Sequence, residues 1–327
     1  MSAAPQKAKP GAEKIEVVVS AVVPLNDLVT RFEFQRRDGA LFPPFSGGAH
    51  TVVTMQDGDR SRLNPYSLMS DPADLSTYAI SVRRDDEGRG GSLFMHRNVA
   101  VGDEITITYP VNLFSLDLRA RKHLFFAGGI GITPFMSMIA QLERMGGAWE
   151  LHYACRTDSL GTYVDQLTYK HPNKVHVYYD DQNQLIDLEG LLDGQRLGTH
   201  AYVCGPKGMI DWVHATADAA GWPDAHVHSE EFLAPAPGVP FEVRLCKSDK
   251  TITVGEHESL LEAIERAGVE APFLCRGGSC GQCETDVARA DGTFIHCDHW
   301  LEDDQHAAGT KIMPCVSRFI GTLELER

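Results

Sequence analysis

No apolar run in this 327-residue chain approaches the roughly 20 residues that a membrane-spanning helix requires, so no helical span is expected. Positive charge is scarce: 30 Lys and Arg stand against 45 Asp and Glu, a formal net charge of −15. Nucleic acid and anionic membrane surfaces both call for a cationic face, so neither is expected as a partner. Residues 1–14 are rich in Ala, Pro, Lys and Gly and have no apolar stretch. They read as a disordered tail rather than a signal peptide or an anchor. A disulfide framework is missing too. Of eight cysteines, Cys155, Cys204, Cys246 and Cys297 are scattered without pattern and read as buried free thiols. That usage fits a reducing compartment, so a cytoplasmic protein is expected. The chain is long for a single core, and two or three domains are expected.

Against those absences, one stretch is dense in chemistry. Cys275-Arg-Gly-Gly-Ser-Cys280-Gly-Gln-Cys283 places three cysteines at C-x4-C-x2-C spacing, and a fourth follows in Lys311-Ile-Met-Pro-Cys315-Val. This is the plant-type spacing of a 2Fe–2S cluster held by four thiolates. Gly277, Gly278 and Gly281 suit a loop that takes positive φ angles and brings its amides close to sulfur. Four cysteines also satisfy tetrahedral zinc. Zinc sites usually pair two short C-x2-C knuckles, whereas here three ligands share one loop. The cluster is therefore the expectation, with Cys275, Cys280, Cys283 and Cys315 as its ligands.

Residues 15–23 and 29–36 are rich in β-branched side chains, and Pro24-Leu-Asn-Asp27 between them reads as a turn. Further strands are expected at 50–55, 78–84 and 104–109, which together predict a small antiparallel β-barrel over 15–118. Two clusters interrupt the pattern. In Asn64-Pro65-Tyr66-Ser67, an extended backbone would send Tyr66 and Ser67 to opposite faces, serving different contacts; the bland alternative is a turn feeding a core strand. In Arg83-Arg-Asp-Asp-Glu-Gly-Arg-Gly90-Gly91-Ser92, the last three residues open a helical stretch at 93–97. Their amides would hold a phosphate, or the segment is a mobile hairpin tip capped by Ser92.

After residue 118 the periodicity changes. His123-Leu-Phe-Phe-Ala127 is a buried-strand pattern that runs into Gly128-Gly129-Ile130-Gly131-Ile132-Thr133-Pro134, with a helix expected over 135–145 and Pro134 suited to its first turn. Strand, glycine turn and helix put a dinucleotide pyrophosphate on a helix N-terminus, although the G-x-G-x-x-G fingerprint is absent. Strands at 150–155, 175–179 and 201–204 alternate with helical stretches and predict a doubly wound parallel α/β sheet over 119–232. The last of them ends in Cys204-Gly205-Pro206, a second glycine turn. Strand C-termini bind ligands in such sheets, so both turns point to one cleft.

The order of Tyr-Ser, Arg-Gly-Gly-Ser, Gly-Gly-Ile-Gly-Ile-Thr-Pro, Cys-Gly-Pro and a C-terminal cysteine loop resembles the phthalate dioxygenase reductase family, whose relatives include vanillate demethylase and carnitine monooxygenase reductases. The resemblance covers nearly all of the chain from about residue 15. It implies that Tyr66 and Ser67, with Pro65, contact a flavin and that Gly90, Gly91 and Ser92 hold its phosphate. It further implies that Gly129, Ile130, Gly131, Thr133 and Pro134 lie beneath nicotinamide and pyrophosphate, with Cys204, Gly205 and Pro206 on the second edge of the cleft. Val227-His228-Ser-Glu230-Glu-Phe232 resembles the family's Val-His-x-Glu-x-Phe, whose phenylalanine covers the flavin where nicotinamide must enter. Ser67, Thr133 and Phe232 are the residues expected nearest the chemistry. The family usually has arginine where this chain has Asn64; Arg62, two residues upstream, would reach the flavin phosphate by a shifted backbone. FMN is expected rather than FAD, because the phosphate loop resembles FMN-binding members and no adenine-stacking segment follows.

Leu233-Ala-Pro-Ala-Pro-Gly-Val-Pro240 reads as a proline-rich linker. Beyond it, a hairpin at 241–245 and 251–254, a helix at 260–267 and a closing strand at 322–325 resemble a plant-type ferredoxin over 241–327, an α+β (β-grasp) fold. His296-Cys-Asp-His299 invites a metal assignment; its context resembles a family stretch that does not hold the cluster, so a structural or surface role is expected. The resemblance implies an NADH-dependent reductase in which electrons run through FMN and the cluster to a separate Rieske-type terminal oxygenase. A haem-thiolate monooxygenase client, or a redox-sensing protein without catalysis, are the alternatives. A monomer is expected. For the nicotinamide, Arg156 and Asp158 follow strand 150–155; arginine favours a 2′-phosphate and an acidic residue the free ribose, and the family pattern favours NADH.

Overall fold

The computed structural model describes residues 13–58, 60–233 and 237–327, so most of the expected tail and Ala234–Ala236 of the expected linker lie outside the described residues. The chain folds around three sheets. Among the described residues no helix is long and apolar enough to cross a membrane.

The first sheet is antiparallel. It comprises β1 (Lys14–Pro24), β2 (Val29–Arg36), β3 (His50–Asp57), β4 (Arg60–Ser67), β5 (Tyr78–Arg83) and, after helix α1 (Gly91–Asn98), β6 (Glu104–Thr108), in the order β4-β3-β6-β1-β2-β5. Alternation drives it: Ile15, Val17 and Val19 point inward from β1, where they join Phe32, Phe34, Val53, Met55 and Ile80 in one core. The end strands β4 and β5 approach each other without pairing, so the barrel is nearly closed rather than sealed. Only part of β4 was legible as extended. Its sequence, Arg-Ser-Arg-Leu-Asn-Pro-Tyr-Ser, is poor in β-branched residues and carries Pro65, which a sheet tolerates because β4 is an edge.

The second sheet is wholly parallel: β7 (Lys122–Gly128), β8 (Trp149–Cys155), β9 (Val175–Tyr179), β10 (Thr199–Cys204) and β11 (Val227–Glu230), in the order β11-β10-β7-β8-β9. Both faces are covered. Phe125 and Ala127 of β7 pack with α2 (Thr133–Met145) and α3 (Val164–Lys170), while Leu124 and Phe126 pack with α4 (Leu188–Asp193) and α5 (Lys207–Ala219). Burial on two faces explains why β7 reads as a continuous apolar run. Fully burying each phenylalanine contributes about 1.5–3 kcal/mol relative to exposure. Strand order reverses between β7 and β10, the position at which doubly wound sheets open a crevice.

The third sheet has the order β13-β12-β16-β14-β15, from β12 (Phe241–Leu245), β13 (Lys250–Val254), β14 (Thr285–Ile295), β15 (Lys311–Ile312) and β16 (Arg318–Leu325). Helix α6 (Leu260–Arg266) starts in a capping box: Ser259 Oγ accepts from the Glu262 amide, and the Glu262 carboxylate accepts from the Ser259 amide. Helix α7 (Asp303–Ala308) follows the cysteine loop. Strand β14 escaped the sequence because most of its eleven residues are exposed and they show no alternation of apolar and polar side chains; pairing along β16 specifies it instead.

Candidate redox site

A cavity of about 540 Å³ opens where the three sheets meet. It sits against the unpaired seam of the barrel, between Asn64–Ser67 on β4 and Ser81 and Arg83 on β5. Its wall brings together Asn64, Pro65, Tyr66, Ser67, Gly90, Gly91, Ser92, Ile130, Thr133 and Phe232, and it also takes in Cys275 of the cysteine loop. Phe232, on that wall, is 42% exposed. Gly129, Gly131, Pro134, Cys204, Gly205 and Pro206 lie off that wall, in the turns at the ends of β7 and β10. Arg156 and Asp158 are apart from it, exposed at the end of β8.

Three polar atoms on the wall are buried without a hydrogen-bond partner: Ser67 Oγ, His50 Nε2 and Glu230 Oε2. Each such atom costs roughly 1–3 kcal/mol unless a ligand satisfies it. His50 stands directly opposite Ser67 across β3 and β4, and burial lowers its pKa to about 4, so the ring is neutral. Burial first, and the neighbouring Cys275 second, push the Glu230 carboxyl up to about 8. A carboxyl raised in this way is able to donate a hydrogen bond to a ligand as well as to accept one. A polar, planar ligand with several acceptors and donors fits this wall, as does the ring system of a flavin. His50 and Glu230 were not among the expected site residues. His50 carries no motif, and Glu230 lies inside Val-His-x-Glu-x-Phe without a role that its type alone would reveal.

The loop before α1 has the features of an anion cradle. Gly90 is left-handed at φ 96°, no side chain caps the helix, and its first turn holds no acidic residue. Ser92 does not cap it, contrary to the bland alternative. Its hydroxyl instead accepts from the Asp85 amide at 3.0 Å and pins the loop. Asn64 packs so closely beneath Gly91 that a Cβ there would lie 2.4 Å from Nδ2. Arg62 is turned behind Gly90, where it pairs with Asp57 at 3.0 Å and donates to the Arg89 carbonyl, off the cavity wall. Four cations line the wall: Arg83, which makes no ion pair among the described residues, Arg89, held by Glu262, Lys207, held by Asp211, and Arg276, held by Glu265.

At the switch point two turns meet back to back. Gly131 approaches Cys204 so closely that a Cβ would stand 2.1 Å from the Cys204 carbonyl oxygen, and Gly205 packs on Gly128. Tyr153 of β8 donates to the Gly129 carbonyl at 3.0 Å, and Thr133 Oγ1 donates to the Ile130 carbonyl at 3.0 Å. The start of α2 is thereby fixed at the cavity.

The four cysteines converge at the other end. Cys283 Sγ lies 3.3 Å from Cys315 Sγ, and the Gly277 amide donates to Cys275 Sγ at 3.3 Å. Gly278 and Gly281 are left-handed, as the loop requires; Gly277 is not, and Arg276 takes that conformation instead at φ 52°. Arg276 is held there by a cation–π contact with Phe273 and an ion pair with Glu265. Within each pair one thiol goes down and the other up: hydrogen bonding from Cys280 and then from loop amides lowers Cys275 to about 5 while Cys280 is raised, and Cys315 lowers Cys283 while it is itself raised. Thiolates held by amides are the donor set that an iron–sulfur cluster takes.

Side chains tie the third sheet to the first two. Arg89 pairs with Glu262 at 3.2 Å, Glu262 also accepts weakly from the Leu63 amide, and His299 pairs with Glu231 at 2.7 Å. Glu262 therefore caps α6 and docks it to the barrel. Glu262→Ala is expected to destabilise the third domain by about 1 kcal/mol through the lost cap. It should also slow NADH-driven reduction of the cluster while sparing the flavin. Stopped-flow traces at flavin and cluster wavelengths check this, and equal slowing at both would contradict it.

A nearly closed barrel, a doubly wound sheet and a four-cysteine domain around one cavity define an iron–sulfur oxidoreductase of the flavin- and nicotinamide-binding type. Comparison with known proteins agrees. Residues 107–227 match the model of the dimethylamine monooxygenase subunit DmmA-like N-terminal domain, and residues 243–319 match the 2Fe-2S iron-sulfur cluster binding domain. The chain is 43% identical over 308 residues to the heme-dependent oxidative N-demethylase beta subunit of Ectopseudomonas mendocina, covering 94% of this chain and 97% of that one. It is 43% identical over 311 residues to the carnitine monooxygenase reductase subunit of Acinetobacter baumannii, with 94% and 96% covered. It is 36% identical over 296 residues to the phthalate dioxygenase reductase of Burkholderia cepacia, with 88% and 89% covered. The solved structure of phthalate dioxygenase reductase superposes with a TM-score of 0.87 at 33% identity, over 96% of this chain and 98% of that one. The chain belongs to the phthalate dioxygenase reductase family.

Proposed function

We propose that this chain is the reductase component of a multicomponent oxygenase, using NADH, FMN and a 2Fe–2S cluster to supply a separate terminal oxygenase of the Rieske type. Its units are 15–118 for the flavin, 119–232 for the nicotinamide and 241–327 for the cluster. The observation that carries this is the single cavity whose wall includes both Tyr66 and Ser67 of the barrel and Cys275 of the cysteine loop. When bound, FMN takes electrons from NADH in pairs and gives them up singly to the cluster. The protein's part is positioning. Ser67, His50 and Glu230 offer hydrogen bonds to a flavin ring, and Gly90, Gly91 and Ser92 offer amides to its phosphate, with Arg83 and Arg89 supplying charge. Thr133 fixes the helix start beneath the nicotinamide, and Phe232 shields the ring until nicotinamide displaces it. Cys275, Cys280, Cys283 and Cys315 hold the cluster, and Cys275 also lies on the wall of the flavin pocket. No general acid, base or nucleophile is needed for hydride delivery. A Rieske centre lies at higher potential than a plant-type cluster, so electrons run downhill to it.

Anaerobic titration with NADH tests this: flavin and cluster absorption should both bleach, and an added oxygenase should restore them. An unchanged spectrum would remove the proposal. A haem-dependent client is the second reading, favoured by the N-demethylase relative and by a self-sufficient cytochrome P450 monooxygenase structure that this chain matches over 100% of its length, and over 43% of the other's, at a TM-score of 0.69. Reoxidation by one class of oxygenase and not the other separates the two.

NADH preference rests on Asp158, exposed beyond β8 and near Tyr179, whose phenol burial and then this carboxylate push up to about 12. A carboxylate facing the ribose repels a 2′-phosphate. Asp158→Asn is expected to narrow the NADH preference in kcat/KM by about tenfold, or roughly 1.4 kcal/mol. An equal or higher kcat/KM with NADPH in the unsubstituted protein would overturn the assignment.

A further inference from the structure

The motif His296-Cys-Asp-His299 is divided by the fold. His299 turns to Glu231, while His296 and Asp298 meet His306 of α7. We propose that His296, Asp298 and His306 form a second metal site, distinct from the cysteine cluster, that binds a divalent transition ion of the zinc type.

One ligand atom from each residue lies within 4.8 Å of the other two. His306 Nε2 is 3.3 Å from Asp298 Oδ2, and His296 Nδ1 is 3.7 Å from Asp298 Oδ1. Tetrahedral zinc with bonds of about 2.0–2.2 Å spaces its ligand atoms by about 3.3–3.5 Å, so the trio, spread over as much as 4.8 Å with the two rings against different oxygens of Asp298, must close by about 1 Å to hold an ion. Two imidazoles and a carboxylate are a donor set that zinc and ferrous iron both accept. The two rings stack at 4.2 Å with an angle of 26°, so binding requires one of them to turn its edge toward the ion.

Two features distinguish this cluster from an ordinary hydrogen-bonded network. Both ring nitrogens of His296 are buried with no hydrogen-bond partner within 3.5 Å among the described residues, the Asp298 carboxylate being 3.7 Å from Nδ1, and the side chain is only 11% exposed. The Asp298 side chain is 0% exposed, and no lysine or arginine pairs with it among the described residues. Its remaining partners, Ser317 Oγ and the Leu301 amide, each at 3.0 Å, orient the carboxylate as outer-shell groups orient metal ligands. His306, 25% exposed, leaves an entry path. A comparable trio on the second sheet, Glu150, His152 and His176, lacks this unmet demand. There Lys122 already neutralises the carboxylate at 2.6 Å, and both nitrogens of His152 are bonded.

An ion here would join the end of β14, the segment after it and α7 over the outside of the cysteine loop. Ser317, held by Asp298, is two residues beyond Cys315, and the His299 amide donates to the Gly278 carbonyl at 3.1 Å. The site would brace the cluster's support and take no part in electron transfer.

The test uses the iron-loaded, full-length protein, treated with chelator and then offered zinc at micromolar concentration. Zinc and iron are counted by elemental mass spectrometry, and the zinc environment is read by X-ray absorption. The expected result is one zinc per chain with nitrogen and oxygen neighbours at about 2.0–2.1 Å and undiminished iron. His306→Gln, on an exposed turn of α7, should weaken zinc at least tenfold while leaving cluster absorption unchanged. His296→Gln should do the same, and if it fails to fold, His306→Gln decides alone. Absence of zinc, equal zinc in His306→Gln, or sulfur neighbours at about 2.3 Å with iron displaced would each overturn the site.

Discussion

Cys315→Ser is expected to strip the cluster while leaving the flavin reducible by NADH. Cys315 arrives from a different segment than the other three cysteines, and its sulfur closes the set at 3.3 Å from Cys283. A serine hydroxyl at that position is a poor substitute for a thiolate. The barrel and the parallel sheet have their own cores, built without any residue of the third domain. NADH oxidation with ferricyanide, which takes electrons at the flavin, should therefore persist. Electron delivery to an oxygenase should fall by roughly two orders of magnitude. Iron content and visible absorption measure the first half, and oxygenase turnover the second. Full iron in Cys315→Ser would refute the ligand assignment. Cys297→Ser is the control and should change neither quantity, since Cys297 is not one of the four.

Gly131→Ala should be nearly as damaging, for a steric reason. The added Cβ would stand 2.1 Å from the Cys204 carbonyl oxygen, a backbone atom in the neighbouring strand that no rotamer change can move. Overpacking of that kind costs about 1–3 kcal/mol. More important, it pushes apart the two turns that frame the proposed nicotinamide cleft. A displacement of about 1 Å from the reacting geometry lowers turnover about 100-fold. Gly129→Ala provides the contrast. Gly129 is left-handed at φ 53° but has nothing within 4 Å of its Cβ position. It should lose only the roughly 1–2 kcal/mol of left-handed strain. Steady-state kinetics with NADH and thermal unfolding of the two variants check the ranking. Equal kinetics in both would show that the contact does not control the cleft.

Much of this architecture was legible from local pattern. Richness in β-branched residues and the turn between them located β1 and β2, and regularly spaced short runs located β3, β5 and β6. The two-sided burial of β7 announced itself as an unbroken apolar run. Spacing alone identified the cysteine loop, because one short segment carries three of the four cysteines. What escaped were elements stabilised by distant partners: β4, an edge strand carrying a proline; β14, exposed along most of its length and specified by β16; and β11, a four-residue strand added beside β10.

The sequence by itself determined the three-part order of the chain, the strand runs of the barrel, the apolar run of β7 and the three-cysteine spacing of the cluster loop, since each is written in residues close together along the backbone. Tertiary structure decided what faces what. It set His50 opposite Ser67, brought Glu230 to the same wall without a partner, and turned Arg62 away behind Gly90. It also split His296 and Asp298 from His299 and joined them to His306. Such pairings arise between segments tens to hundreds of residues apart. Side-chain type fixes what each residue is able to do, but burial and the company of a neighbour fix its charge and its task, and neither is encoded in a window of sequence.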